Sequence, residues 1–157
     1  MIAFARVDNR LIHGQVVEAW LPQLGVRRIV VLDDEAAHNP LTRAAMGLAV
    51  PSEVTVEILA ASADLAAVQA SKERVLLLFR DVHGAVAACA RGLRLETLNL
   101  GNVHFAEGRV AVSPAVFLSR IEIGELEGLA ATGVAIELRT LPRDRPLSLG
   151  EVSAKVP

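Results

Sequence analysis

The stretch IAFARVDNRLIHGQV, residues 2–16, joins an apolar run to a short charged loop and then to the start of a helix. The run IAFARV (2–7) predicts a β-strand, and the segment GQVVEAWLPQLG (14–25) has the apolar spacing of a helix. A strand followed by a loop and a helix is the repeating unit of parallel α/β sheets. The stretch therefore predicts a fold class and indicates where to look for a site.

The same alternation recurs along the chain. Further strands are predicted at the short apolar runs RRIVVLD (27–33), EVTVEIL (53–59), RVLLLF (74–79), LETLNL (95–100) and VAIELRT (134–140). Further helices are predicted over 39–50, 62–71, 81–92 and 121–133, with a short one after Ser148. This pattern is typical of an open, mainly parallel β-sheet with helices on both faces. The break in alternation at GNVHFAEGRVAVS (101–113) predicts a short β-hairpin.

Turn-forming and capping residues mark the ends of these helices. The expected N-caps are Asn39, Ser62 and Asp81, and the expected C-terminal glycines are Gly25, Gly92 and Gly133. Pro22 lies inside the first helical pattern, so we expect that helix to kink or to end early.

Composition excludes several classes of protein. With 157 residues, 52% of them hydrophobic and 22% charged, the chain fits one globular domain over residues 1–157. A net charge of −2 provides no basic field for nucleic acid or anionic lipid. The single cysteine, Cys89, fits a reducing compartment. MIAFARVDNR (1–10) lacks the pattern of a secretory signal, and no apolar run reaches the roughly 20 residues of a spanning helix. We therefore expect a soluble, cytoplasmic protein.

The loop after the first strand combines groups that suit an anion. In open parallel sheets, ligands bind beyond the carboxyl ends of the strands, where residues 8–14 are expected to lie. A helix N-terminus offers free N–H groups and a positive dipole end, and Arg10 and Arg6 add positive charge. Gly14 lets a ligand approach closely. The dipole disfavours an imidazolium, so we expect His13 to be neutral and nucleophilic, as covalent phosphoryl transfer requires.

The same residues also have simpler explanations. A histidine in a loop is often only solvated, and Arg10 can form a surface ion pair with Asp8 that is worth at most about 1 kcal/mol. Asp8 can instead hydrogen-bond one ring nitrogen of His13. The acidic run Asp33–Glu35 either binds Mg²⁺ with a nucleotide or caps the next helix and balances nearby arginines.

No metal or cofactor is expected. Residues His38, His83, His104 and Cys89 are far apart and have no metal-ligand spacing. Glycine-rich phosphate loops of the GxGxxG or GxxxxGK[ST] type are absent, which disfavours nucleotide binding. Trp20 is expected in the core or at a shallow interface.

The segment RVDNRLIHGQV (6–16) resembles the active-site segment of the mannose/fructose/sorbose-type enzyme IIB of the bacterial phosphoenolpyruvate-dependent sugar phosphotransferase system. That family opens with a strand and then R-(I/V)-D-x-R-L-I-H-G-Q-V. The resemblance covers most of the chain, through RRIVVLDDE (27–35), ERVLLLF (73–79), LNLGN (98–102) and GVAIELRTLP (133–142). The family often has a double glycine after the strand-five asparagine, where this chain has Asn99-Leu100-Gly101-Asn102.

The resemblance implies a phosphocarrier that works without a cofactor of its own. It would accept a phosphoryl group from phosphohistidine on a IIA protein or domain and pass it to a sugar held by a IIC–IID membrane complex. His13 corresponds to the phosphorylated histidine, modified on Nδ1, and Arg10 to the arginine that handles the phosphoryl group. Arg43 is the candidate second arginine, although AAHNPLTR before it is one residue longer than the family pattern. Asp8 and Gln15 would orient His13 or its loop.

Two other functions remain open at this point. A regulatory protein of the same ancestry would be phosphorylated on His13 without any sugar transport. A small anion-binding α/β domain would use the loop with no covalent step. Dimers are compatible with this type of protein, although the patterning identifies no interface.

Overall fold

The computed structural model describes residues 1–157, and its elements follow the predicted alternation. The strands are β1 (Ile2–Asp8), β2 (Arg28–Leu32), β3 (Thr55–Leu59), β4 (Val75–Phe79), β5 (Thr97–Asn102), β6 (Val110–Ser113), β7 (Val116–Leu118), β8 (Ala135–Leu138) and β9 (Leu147–Ser148). A π-helical turn (Val16–Trp20) continues as α1 (Leu21–Leu24), and the other helices are α2 (Asp34–His38), α3 (Pro40–Leu48), α4 (Ala66–Ala70), α5 (Val82–Ala90), α6 (Arg120–Ala131) and α7 (Leu149–Ser153). None of the helices has both the length and the apolar character needed to cross a bilayer.

Seven strands form one sheet in the order β3-β2-β4-β1-β5-β8-β9. All neighbours are parallel except β8 and β9, so the predicted mainly parallel sheet is confirmed. β1 lies between β4 and β5, with Val7 beside Phe79 and Leu100. The chain leaves β1 toward one face of the sheet, whereas the helices after β4 and β5 pack on the other. Such a divergence opens a crevice at the carboxyl ends of the strands.

Apolar side chains fill both sides of the sheet. All five residues of β4 are buried. Val75, Leu77 and Phe79 join a cluster of 28 buried residues under α4 to α7, while Leu76 and Leu78 join one of 12 under the first helix, α2 and α3. Each such side chain stabilises the fold by about 1.5–3 kcal/mol. The prediction of helices on both faces is confirmed.

Most of the predicted helix ends are confirmed. The Asn39 side chain accepts hydrogen bonds from the N–H groups of Leu41 and Thr42, and the Asp81 side chain caps α5 by accepting from Gly84. Left-handed glycines stand at or just beyond helix ends at Gly25, Gly92 and Gly133. The short helix after Ser148 is present and carries a capping box.

One predicted helix boundary is wrong. Ser62 does not cap α4, because that helix begins only after Leu65 and the Asp64 carboxylate accepts from the N–H of Ala66 instead. Of the two outcomes predicted at Pro22, a kink or an early end, the early end does not occur, because the first helix continues to Leu24. Its preceding turn widens into the π-helical form, which makes room for a proline ring that would otherwise meet the carbonyl four residues before it.

The predicted hairpin is present, but it lies further along the chain. It consists of β6 and β7, joined by a turn at residues 114–115. Residues 101–102 instead complete β5, and Val103 forms a single bridge to Val116. The AEG segment (106–108) does turn, but it does not join two paired strands.

Candidate active site

The loop after β1 is folded tightly at the carboxyl end of the sheet. The N–H of Leu11 donates to the carbonyl of Asp8 at 2.9 Å, and the N–H of Asn9 donates to the carbonyl of Asn102 on β5 at 3.0 Å. Leu11 is buried and has a φ of 57°. This left-handed conformation costs a residue with a side chain roughly 1–2 kcal/mol, and burial of the leucine offsets it. The strained turn brings His13 back over the end of β1.

Asp8 is the centre of the site. It is fully buried, and its Oδ2 accepts from Nε2 of His13 at 2.8 Å. The same oxygen accepts from Nε and Nη2 of Arg6 at 3.2 and 3.0 Å. Its Oδ1 accepts from the backbone N–H of Arg10 at 3.1 Å. The sequence left two roles open for Asp8, binding a ring nitrogen or holding an arginine, and the carboxylate does both.

Arg6 lies behind this carboxylate and is also fully buried. Arg6 and Asp8 are two residues apart on β1, so their side chains point to the same face. Nη1 of Arg6 donates to Oδ1 of Asn99 at 2.8 Å and to the carbonyl of Arg139 at 3.3 Å. The guanidinium also lies 5.3 Å from the centre of the Trp20 ring. Arg6 therefore supports Asp8 from within the protein and is not open to a ligand.

These contacts fix the charge of Asp8. Burial alone would raise the pKa of its carboxyl, but the hydrogen bond from His13 and the charge of Arg6 outweigh burial and hold that pKa below its ordinary value. For Arg6, burial lowers the pKa, although Asp8 opposes the shift. Because an ionised carboxylate can only accept, Nε2 is the protonated nitrogen of His13. Its Nδ1 has no hydrogen-bond partner in the chain, so this nitrogen carries the lone pair whenever the ring is neutral.

The surroundings of His13 are open and positive. The His13 side chain is 14% exposed, and the N–H groups of Gly14 and Gln15, at the start of the helix, have no acceptor in the chain. A Cβ at Gly14 would meet no atom within 4 Å, which leaves free space beside the loop. Arg10 is 45% exposed and donates from Nη2 to Oε1 of Gln15 at 3.1 Å. The predicted residues Asp8, Arg10, His13, Gly14 and Gln15 are thus together.

The role of Arg43 as the second arginine stays a prediction, because its guanidinium binds backbone carbonyls outside this loop. Its Nη1 donates to the carbonyls of Ala37 and Ile58 at 3.3 and 3.1 Å, and it forms no hydrogen bond or ion pair with His13, Asp8 or Arg10. In this structure Arg43 ties α3 to the end of β3.

The acidic run after β2 caps a helix. Asp33 caps α2 by accepting from Ala36, and Arg80 donates to its two oxygens at 2.8 and 2.7 Å. This matches the simpler of the two explanations drawn from the sequence. No group of three or more acidic, histidine or cysteine side chains is placed to hold a metal ion.

Sequence reasoning missed part of the support around the site. Asn99 joins Arg6 to β8 by donating to Oε1 of Glu137 and to the carbonyl of Arg139, each at 3.2 Å. An asparagine inside the apolar run LETLNL was the available signal. Trp20 is buried as expected, and its Nε1 donates to the carbonyl of Thr140 at 2.9 Å.

A mainly parallel α/β sheet thus presents an oriented histidine beside an exposed arginine and a helix start, an arrangement that suits the class of α/β phosphoryl-transfer proteins. Residues 2–155 match the family model of the PTS system sorbose subfamily IIB component, where PTS is the phosphotransferase system. The chain belongs to this family. IIB components of the sorbose, mannose and fructose class carry out phosphotransfer in sugar uptake.

Individual relatives agree with this assignment. The chain is 31% identical to the sorbose-specific EIIB component of Lacticaseibacillus casei, over 92% of this chain and 90% of that protein. It is 29% identical to the mannose-specific EIIAB component of Escherichia coli K12, over 99% of this chain, but it spans only 49% of that protein's length. The crystal structure of the IIBSor domain of the Klebsiella pneumoniae sorbose permease superposes with a TM-score of 0.90 at 27% identity, over 99% and 98% of the two chains.

Proposed function

We propose that residues 1–157 act as one IIB domain that carries a phosphoryl group on Nδ1 of His13. The group would come from phosphohistidine on a IIA protein or domain and would pass to a sugar of the mannose, fructose or sorbose class. The observation that carries the proposal is the 2.8 Å hydrogen bond from Nε2 of His13 to the buried Asp8, which leaves Nδ1 as the free nucleophile.

The acceptance step is a simple exchange of one N–P bond for another. The Nδ1 lone pair of His13 attacks the phosphorus of the donor, and the Nδ1–P bond forms as the donor's N–P bond breaks. The attack places positive charge on the imidazole ring, and the Asp8 carboxylate stabilises that charge through Nε2–H, as the aspartate does in hydrolase triads. The Nε2 proton stays where it is throughout.

The phosphoryl oxygens would be held by positive groups around Nδ1. The free N–H groups of Gly14 and Gln15 and the guanidinium of Arg10 supply donors without any metal ion. Arg10 holds its present position through one hydrogen bond to Gln15 and through the ion pair that the sequence suggested, with Nε 3.7 Å from Oδ1 of Asp8. Because its side chain is half exposed, it can exchange that bond for a phosphoryl oxygen at low cost.

The onward step returns His13 to its starting state. A sugar hydroxyl attacks phosphorus, the Nδ1–P bond breaks, its electron pair returns to the ring, and the hydroxyl proton passes to water. We assign this step to a IIC–IID membrane complex at the cytoplasmic side. We expect the IIA donor to dock over residues 8–14 and 33–39, which lie at the same edge of the sheet. The homodimer stays a prediction, which native mass spectrometry of the protein tests.

The test is the intact mass of the protein after incubation with phosphoenolpyruvate, the general phosphotransferase proteins and the cognate IIA. The wild type should gain one acid-labile phosphoryl group, and His13→Ala should gain none. The matched control is His104→Ala, because His104 is an exposed histidine with no side-chain hydrogen bond. Phosphate retained on His13→Ala would refute the assignment.

Addition of membranes that contain IIC and IID, together with labelled sugar, tests the second step. Transfer of the group to sugar supports transport, whereas stable phosphoprotein would favour the regulatory function. Failure to gain phosphate from a demonstrably phosphorylated IIA would favour the anion-binding function.

A further inference from the structure

Gly101 stands directly against the buried guanidinium of Arg6. An ideal Cβ built on Gly101 would lie 1.8 Å from Cζ of Arg6 and 2.1 and 2.2 Å from its two Nη atoms. The three similar distances mean that the added carbon would sit over the centre of the guanidinium plane. A Cβ at position 101 therefore cannot coexist with the present position of the Arg6 guanidinium.

The backbone of Gly101 is shifted to make this contact. Val7 pairs with Leu100, but Asp8 pairs with Asn102, so Gly101 is the extra residue of a bulge between β1 and β5. Gly101 has no positive φ, in contrast to the turn glycines. Close approach of a neighbouring group, rather than backbone conformation, is therefore what this position demands.

The guanidinium of Arg6 has little room to move. It is fully buried, and it is held by Asp8, by Asn99 and by the carbonyl of Arg139. A Cβ at position 101 would push it away from the oxygen that also accepts from His13. The end of an arginine side chain is flexible, so the fold can survive such a change while the hydrogen bonds of Asp8 cannot stay as they are.

We propose that Gly101 is a positioning residue for His13: its missing Cβ gives Arg6 the place from which it holds Asp8, and Asp8 in turn fixes Nε2 of His13. The inference rests on the proposed role of His13 as phosphoryl acceptor. Gly101 contacts neither the histidine nor the phosphoryl group. Its influence passes through two buried side chains, and it controls which ring nitrogen is free to react.

The first experiment needs no donor. Nitrogen-15 NMR of the imidazole ring in Gly101→Ala reports which nitrogen of His13 carries the proton. We expect the wild type to show the Nε2–H form and the variant to lose it as the sole form. The matched control is Gly128→Ala on α6, where an added Cβ meets no atom within 4 Å. An unchanged His13 spectrum in folded Gly101→Ala would overturn the proposal.

The second experiment measures the rate and the site of phosphorylation by phospho-IIA. We expect the rate of Gly101→Ala to fall by about ten- to a hundredfold, because small misplacements of reacting groups have effects of that size. Phosphorus-31 NMR should also detect Nε2-phosphohistidine beside the Nδ1 isomer. A purely structural role for Gly101 would lower the amount of folded protein without changing the isomer. A wild type that gains no phosphate would refute the proposed function but leave the ring-nitrogen result valid.

A double-variant comparison tests the route through Arg6. Arg6→Lys removes the planar group over Gly101, so adding Gly101→Ala to Arg6→Lys should lower the rate by at most about twofold more. An equal loss in both backgrounds would overturn the proposal. Should Gly101→Ala alone fail to fold, recovery of folding in the double variant supports the clash with Arg6, and failure of both variants refutes it.

Discussion

Two histidines of this protein lie 2.8 Å from a carboxylate, yet they stand in opposite environments. His13 contacts Asp8, whose side chain is fully buried, and is itself 14% exposed. His83 contacts Glu125 across the outer surfaces of α5 and α6, and is 79% exposed. The first carboxylate is held by Arg6 and by the backbone of Arg10, whereas no other side chain holds the second. The same distance thus describes a fixed pair in one case and a solvated pair in the other.

The comparison shows that burial of the Asp8–His13 pair fixes the orientation of the histidine ring. A solvated ion pair contributes about 0–1 kcal/mol and does not fix a ring in one pose. Asp8 cannot move away from His13 without leaving Arg6 unpaired in the interior, which would cost several kcal/mol. His13 therefore keeps one nitrogen committed and the other free, while His83, bound through Nδ1, has no such restriction.

Removal of the carboxylate charge should give the largest difference between the two pairs in the rate of phosphorylation. We expect Asp8→Asn to slow phosphorylation of His13 by roughly 10²- to 10⁴-fold, because the ring loses both its orientation and the charge that stabilises the attacking state. Glu125→Gln, the matched control, should leave the rate within about twofold. The rate is measured as phosphate incorporated per folded molecule. A folded Asp8→Asn variant with a near-normal rate would show that burial of this pair serves stability alone.

Much of the secondary structure around these pairs could be predicted from the sequence. The apolar runs place the six predicted strands, because VLLLF (75–79) and its neighbours leave no polar face for solvent. The charged residues of the site were identified, and the burial of two of them was not. Asp8 looks like a loop residue in the sequence, and Arg6 like a charged residue of a strand, yet both lie on β1 with no exposure.

The remaining features could not be read from local sequence patterns. The contact of Arg6 with Asn99 and Gly101 joins residues more than ninety positions apart, and the asparagine inside the apolar run LETLNL is its one local sign. Arg43 was named as the second arginine from the resemblance, and that role stays a prediction, while its guanidinium donates to backbone carbonyls of α2 and β3. Helix α2 and strand β9 are too short to have a period of their own.

Arg10, the exposed arginine beside His13, allows a second comparison between a residue of the site and a residue of the outer surface. We expect Arg10→Gln to slow transfer from phosphorylated His13 to sugar by roughly tenfold or more, because glutamine keeps a donor but loses the charge on the phosphoryl oxygens. The measurement is the loss of phosphate from isolated phosphoprotein in the presence of sugar and IIC–IID membranes. Arg145→Gln removes an arginine that is 72% exposed and paired only with Glu151, and it should have no effect. Equal rates for Arg10→Gln and Arg145→Gln would show that Arg10 takes no part in the transfer.

Asp33 and Arg80 provide an intermediate case, a pair with no histidine in which the carboxylate is 10% exposed and the arginine 34% exposed. Burial would raise the pKa of Asp33, but hydrogen bonds from Arg80 and from the N–H of Ala36 lower it overall. A lowered pKa in the folded state adds stability above the unfolded value of about 3.9, and that stability is lost as the pH falls through the folded pKa. We expect Asp33→Asn to lower the free energy of unfolding by about 1–2 kcal/mol near neutral pH and to reduce the further loss below about pH 4.

Urea unfolding near neutral pH and below about pH 4 checks this expectation. Glu53→Gln is the matched control, because Glu53 is exposed and forms no side-chain hydrogen bond or ion pair. The His13 ring signals should be unchanged in both variants, since Asp33 forms no hydrogen bond with the loop after β1. Changed His13 signals in Asp33→Asn would mean that the two acidic pairs at this edge of the sheet are coupled.

The smallest effect is expected at the exposed pair of His83 and Glu125. The hydrogen bond and charge of Glu125 raise the pKa of His83, so Glu125→Gln should move that pKa back toward its ordinary value. Proton NMR of the imidazole signals during a pH titration measures the shift, with Glu127→Gln on the same helix as control. We expect no change in His13 signals or in phosphorylation, because an exposed pair leaves its histidine free to rotate. A change at His13 would require a connection between α5 and the loop after β1, and the buried apolar strand β4 provides no polar route for one.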